Sequence, residues 1–85
     1  MTVKLTKAAE KSYGKLPLNI QKKMDKQITL LISDYRHPSL RTRKMGGSGD
    51  FEARIDIHYR FSFQVEGEDI YILTIGLHDV GLGKK

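Results

Sequence analysis

Three side chains in the C-terminal half have the chemistry to hold a phosphate and move a proton beside it: Arg54, Arg60 and His78. A guanidinium keeps its charge at any physiological pH and presents a planar fork of donors that fits two phosphate oxygens. An imidazole changes charge near neutrality and suits general acid–base work. Whether these groups form a site depends on the elements that carry them.

The stretch FEARIDIHYRFSFQV, residues 51–65, carries the two arginines. Phe51, Ala53, Ile55, Ile57, Tyr59, Phe61, Phe63 and Val65 alternate with Glu52, Arg54, Asp56, His58, Arg60, Ser62 and Gln64. That is the period of a strand with one oily face and one wet face. An unbroken strand over 51–65 would be unusually long, and Asp56-Ile57-His58 is the natural turn. A three-residue loop there pairs Ile55 with Tyr59, Ala53 with Phe61 and Phe51 with Phe63, so the parity survives the turn. The same register sets Arg54 directly opposite Arg60. Like charges so placed cost roughly several tenths of a kcal/mol when exposed. Glu52 and Asp56, on the same face two residues either side of Arg54, can offset that cost. A mixed, solvated sheet face is therefore the plain alternative to a phosphate site.

His78 follows the last apolar run, Ile70-Tyr71-Ile72-Leu73-Thr74-Ile75, and Gly67 marks the hairpin before it. A three-residue turn over 67–69 would place Arg60 opposite Gly76, with His78 just beyond. A two-residue turn would reverse the faces of that strand. The run is apolar on both faces, which predicts a central strand.

Upstream, Val3 and Leu5 flank Lys4 as in a short strand. Thr6 can cap a helix that carries Ala8, Ala9 and Tyr13 and stops at Gly14. Lys15-Leu16-Pro17 is a joint, because proline is tolerated at a helix start and not inside one. From Leu18, the residues Ile20, Met24, Ile28, Leu31, Ile32 and Tyr35 form the stripe of one long amphipathic helix, with Lys22, Lys23, Asp25 and Lys26 on its wet side. His37-Pro38 should end it. Residues 39–50 are a basic, glycine-rich connection in which 40–45 suits an edge strand. Its Gly46-Gly47-Ser48-Gly49 lacks the Lys-Ser/Thr ending of a phosphate-binding loop and reads as a flexible turn. The fold class is α+β: a small antiparallel sheet packed against two N-terminal helices, in the order β-α-α-β-β-β, as a single domain over 1–85.

Fifteen Lys and Arg against ten Asp and Glu give a formal charge of +5 on 85 residues, which favours polyanionic partners, nucleic acid or an acidic protein. The chain has no cysteine, and no Cys-His or His-x-x-His spacing, so neither metal nor cofactor is expected. No apolar run approaches the roughly 18 residues of a membrane span, and the first residues do not read as a signal peptide. A cytoplasmic protein with no membrane partner is expected.

The order of elements, together with Lys15-Leu16-Pro17, Ile20-Gln21-Lys22-Lys23, Phe51-Glu52-Ala53-Arg54-Ile55, Tyr59-Arg60-Phe61 and Ile75-Gly76-Leu77-His78-Asp79-Val80, resembles the RelE/ParE superfamily of toxins from toxin–antitoxin systems. The resemblance runs over nearly the whole chain. It implies a metal-independent, ribosome-dependent endoribonuclease that cuts messenger RNA by attack of the ribose 2′-oxygen on the adjacent phosphate. Arg60 matches the family's strand arginine and Arg54 a basic position on the preceding strand. His78 falls where relatives carry arginine or histidine and would protonate the leaving 5′-oxygen. Arg41, Arg43 and Lys44, with Lys84 and Lys85, would contact RNA and the ribosome. The implied partners are a cognate antitoxin, acidic and partly disordered, and the ribosome with its message. Two departures stand out: RelE has a tyrosine near its C-terminus where this tail has none, and Glu52 replaces a lysine of RelE. They leave room for a ParE-like inhibitor that binds DNA gyrase, or for a catalytically degenerate member that binds only its antitoxin.

Overall fold

In the computed structural model, which describes residues 2–47 and 49–77, the elements run β1 (Thr2–Leu5), α1 (Lys7–Gly14), α2 (Leu18–Ser33), a 3-10 turn (Pro38–Leu40), β2 (Arg43–Lys44), β3 (Phe51–Arg54), β4 (Tyr59–Glu66) and β5 (Asp69–Leu77). The five strands form one sheet in the order β1-β5-β4-β3-β2. β2 to β5 are antiparallel neighbours, and β1 joins β5 in parallel, with Val3 beside Ile70 and Leu5 beside Ile72. The result is a mixed α+β fold in which β5 is flanked on both sides, as its two apolar faces predict. None of the described helices is long and apolar enough to cross a membrane.

Local chemistry explains the element ends. Thr6 Oγ1 accepts from the Ala9 N–H at 3.1 Å, an N-cap that starts α1. Thr6 Oγ1 also donates to the Leu73 carbonyl at 3.2 Å, tying the helix start to β5. α2 ends at Ser33, short of the expected His37, because Asp34 turns extended and its Oδ1 accepts from the Arg36 N–H at 3.0 Å. A short acidic side chain that bonds nearby backbone competes with the helix ladder in this way. Tyr35 thus lies outside the helix, and Ile32 is exposed.

One core fills the space between the helices and one face of the sheet. Ala9, Ile20, Met24 and Leu31 from the helices meet Ala53, Phe61, Phe63, Ile70, Ile72 and Ile75 from the strands. Phe51 and Phe63 stack at 5.4 Å between centroids, with Tyr35 edge-on to both. The expected hairpin register is present: Phe51 pairs with Phe63, Ala53 with Phe61 and Arg54 with Arg60.

The second hairpin combines features of both sequence alternatives. Glu66 pairs with Asp69, so the turn has two residues, led by Gly67 at φ 61°. A two-residue turn alone would set Arg60 out of step with Gly76. A bulge restores the step: Phe63 pairs with Ile72 but Ser62 with Thr74, and Leu73 is the extra residue. Ile70 and Ile72 on one side of the bulge and Ile75 on the other therefore all reach the core, and Arg60 faces Gly76.

Candidate functional site

The sheet face opposite the core carries Glu52, Arg54, Arg60, Ser62 and Thr74, and its lower corner is a pocket. A cavity of about 300 Å3 is lined by Arg41, Arg43, Glu52, Ala53, Arg54 and Arg60. Four arginines and one glutamate thus share the wall of one pocket.

β3 and β4 set Arg54 and Arg60 in register on neighbouring strands. Arg60 is steadied by the turn beneath it, its Nη1 donating to the Asp56 carbonyl at 3.0 Å. That turn is held by the Asp56 carboxylate, whose Oδ1 accepts from the N–H groups of His58 and Tyr59 at 2.8 and 2.9 Å. Its Oδ2 lies 3.6 Å from Lys23 Nζ. Burial pushes the Asp56 carboxyl up, but the two N–H donors and the charges of Lys23 and His58 outweigh it and hold the group below its ordinary value.

Arg54 is half-buried and its Nε is a buried donor with no acceptor among the described residues. Leaving such a donor unmatched costs about 1–3 kcal/mol. Neither Arg54 nor Arg60 is ion-paired among the described residues. The two acids expected to offset them are engaged elsewhere: Asp56 with its turn and Lys23, and Glu52 with Arg43, whose Nε donates to Oε1 at 2.6 Å. Glu52 is buried, and β2 exists to meet it, Arg43 lying opposite Glu52 in the ladder.

Arg41 enters from the connection. Leu40, expected in an edge strand, is instead the buried end of the 3-10 turn, and only Arg43 and Lys44 pair as strand. Arg41 follows in the left-handed region at φ 51°, the one non-glycine residue with positive φ among the described residues. An L-residue there is strained by about 1 kcal/mol or somewhat more.

Seen in three dimensions, this architecture has counterparts. An archaeal RelE–RelB complex from Pyrococcus horikoshii OT3 matches with a TM-score of 0.79 at 21% identity, over 93% of this chain and 96% of that one. A copper-bound mutant toxin from Helicobacter pylori matches at 0.75 and 20% identity, over 93% and 96% of the two chains. A YoeB/ParE toxin from Agrobacterium tumefaciens matches at 0.69 and 17% identity, over 92% and 99%. The fold is that of the RelE and ParE toxins. No family profile and no curated protein matches the sequence. At these identities the likeness to the RelE-like chains is one of fold.

Within that RelE-like frame, Arg54 and Arg60 come together as the strand register predicts. Arg41 and Arg43, expected as outlying contacts, line the same pocket, whereas Lys44 does not. His78, Lys84 and Lys85 lie outside the described residues. Gly76, opposite Arg60, is two residues before His78.

Two further residues build the site in ways that the sequence does not predict. Alternation puts Glu52 on the wet face as a partner for Arg54, yet it is buried against Arg43, which needs the short β2 pairing. Gln27 is buried in α2, its Nε2 donating to the Arg54 carbonyl at 2.7 Å and reaching the Ser39 carbonyl at 3.5 Å. Its amide bridges the two segments that carry Arg54 and Arg41. The signal was present: 27 fits between 20, 24 and 31 on the buried stripe, where a polar residue needs a partner.

Proposed function

We propose that the protein is the toxin of a toxin–antitoxin pair and a metal-independent, ribosome-dependent endoribonuclease acting on messenger RNA. The observation that carries this reading is the pocket: Arg54 opposite Arg60, with the Arg54 Nε buried and unmatched among the described residues, and Arg41 and Arg43 beside them. A phosphate oxygen is the acceptor that such a donor lacks, and guanidinium forks bind phosphate bidentately.

In the reaction the ribose 2′-oxygen forms a bond to phosphorus and the bond from phosphorus to the 5′-oxygen breaks, giving a 2′,3′-cyclic phosphate and a 5′-hydroxyl. Arg54 and Arg60 bind the non-bridging oxygens, where negative charge grows in the transition state. The 2′ proton needs an acceptor, and arginine cannot provide one. Among the pocket-lining residues Glu52 can, so it takes the role of base. His78, two positions past the glycine that faces Arg60, supplies the proton to the 5′-oxygen. Lys44, Lys84 and Lys85 add backbone contacts to RNA and ribosome, which give affinity with little sequence reading. A cytoplasmic location follows from the target. The acidic antitoxin neutralises the toxin by covering this basic surface, as a RelB accompanies RelE in the archaeal complex.

The rival reading, a gyrase-binding inhibitor, has its support in the name of the Agrobacterium neighbour. A purified translation system separates the two. Primer extension on a translated message should reveal cuts that require both ribosomes and this protein. Intact message, together with blocked supercoiling in a gyrase assay, would establish the rival.

A further inference from the structure

The ladder between β2 and β3 breaks off where the pocket opens. The Ile55 N–H donates to the Tyr59 carbonyl at 2.9 Å, so the odd-numbered residues of β3 bond to β4. The even-numbered ones turn their backbone groups toward β2, and on that side the Met45 N–H donates to the Asp50 carbonyl at 2.7 Å. Arg43 pairs with Glu52 in the same ladder. Continued in step, it would set Arg41 opposite Arg54, with the Arg41 N–H aimed at the Arg54 carbonyl.

The chain does not continue it. β2 covers only Arg43–Lys44, and the Arg41 N–H is turned back onto the Pro38 carbonyl at 3.1 Å. Arg41 and Arg54, which a longer ladder would join, instead line one cavity of about 300 Å3.

The donor that β2 withdraws is supplied by α2. Gln27 Nε2 donates to the Arg54 carbonyl at 2.7 Å and lies 3.5 Å from the Ser39 carbonyl, in the arm that has peeled away. A buried amide is a demanding choice for this position. Gln27 lies on the stripe of Ile20, Met24 and Leu31, where an apolar side chain would pack without needing partners. Arg54 is the last residue of β3 and pairs with Arg60 on one side. On its other side it meets the Gln27 amide. The direction in which the Arg54 side chain leaves the backbone, and with it the burial of its Nε, therefore depends on this bond.

We infer that Gln27 is a positioning residue of the pocket: its amide stands in for the missing β2 donor, fixes the end of β3 and so aims Arg54 at the substrate phosphate. The inference rests on reading the pocket as a phosphate site. It gives the buried side of α2 a part in the chemistry of the opposite sheet face.

The test uses the full chain. Gln27→Met keeps the length of the side chain and removes both donors. Hydrogen exchange at the Arg54 Nε–H, followed by NMR, should speed up by about tenfold or more. The Arg43 Nε–H, tied to Glu52, should exchange as in wild type. Single-turnover cleavage of ribosome-bound message by the folded variant should slow by about tenfold or more, since small displacements of a reacting group's partner cost that much. Ribosome binding should stay within about twofold of wild type. Ile70→Val, a loss of packing in the core on β5, should leave both readouts unchanged. Gln27→Glu keeps the shape and serves where Gln27→Met fails to fold. Its carboxylate has no donor, but burial favours the acid, which has one. Its cleavage rate relative to wild type should therefore rise as pH falls from about 8 to about 6.

The inference is overturned if the Arg54 Nε–H of Gln27→Met exchanges as in wild type. It is equally overturned if Gln27→Met cuts no more slowly than Ile70→Val, or if the Gln27→Glu ratio stays constant with pH. Failure of the underlying reading looks different. Wild-type protein that leaves translated message intact, while the Arg54 Nε–H still responds to Gln27→Met, overturns the phosphate reading and leaves Gln27 a brace of the strand end alone.

Discussion

The β3–β4 hairpin has two faces built from alternate residues of the same strands, and they obey opposite rules. On the core face Phe51, Ala53, Phe61 and Phe63 pair like with like and are shielded by α1 and α2, so every choice stabilises the fold. On the other face the choices conflict with stability. Two arginines oppose each other, a guanidinium nitrogen is buried without an acceptor, a carboxylate is buried against a single arginine, and a nearby arginine sits in a glycine conformation. Natural sequences concentrate such violations where they bind or react. The contrast teaches that one face specifies the fold, whereas the other carries the costly choices that the proposed phosphate site would account for.

The largest effect should come from breaking the first face. Phe61→Ala removes a fully buried ring and should cost about 3–5 kcal/mol in urea unfolding. In a domain this small, that leaves little folded protein. On the second face Arg60→Ala should change stability hardly at all yet reduce cleavage of translated message at least about 100-fold, the loss typical of one removed oxyanion donor. Cleavage at the wild-type rate by folded Arg60→Ala protein would erase the distinction between the faces.

Glu52→Gln sharpens the comparison further, since the amide oxygen can still accept from Arg43 while losing the capacity to take a proton. Single-turnover cleavage should fall by about 100-fold with ribosome binding retained. Equal losses in binding and cleavage would make Glu52 a structural partner of Arg43.

The smallest effect belongs to the turn between the faces. Asp56→Ala removes the acceptor of two N–H groups and should cost about 1 kcal/mol. Because the folded Asp56 carboxyl is held below its ordinary value, its contribution is present above the unfolded carboxyl range. It is lost as pH falls through the folded value. The stability gap between wild type and Asp56→Ala, measured by urea unfolding, should therefore be widest near neutrality and close in acid. A gap that stayed constant into acid would show that the charge on Asp56 has no part in the turn.

The residues that were legible in the sequence are those governed by local period. Alternation over 51–65 gives the hairpin register and hence the Arg54–Arg60 pair, and the 20-24-31 stripe gives α2. What was not legible depends on contacts between segments or on single backbone angles. The Leu73 bulge reconciles two turn lengths that sequence could only set against each other. The left-handed angle at Arg41 has no glycine to announce it. Neither the closeness of Arg41 to Arg54 nor the pairing of Glu52 with Arg43 is implied by spacing, because a glycine-rich connection separates them. Asp34, a helix-competent position by pattern, ends α2 through its own side chain.

The most direct test of the account is a message carrying one 2′-deoxynucleotide at a mapped cut, translated in a purified system with this protein. The account predicts that the cut disappears at that nucleotide alone, and that the unmodified message ends there in a 2′,3′-cyclic phosphate. A cut that persists at the deoxynucleotide would contradict it, since no 2′-oxygen would then be attacking the phosphate that the account places on the arginine face.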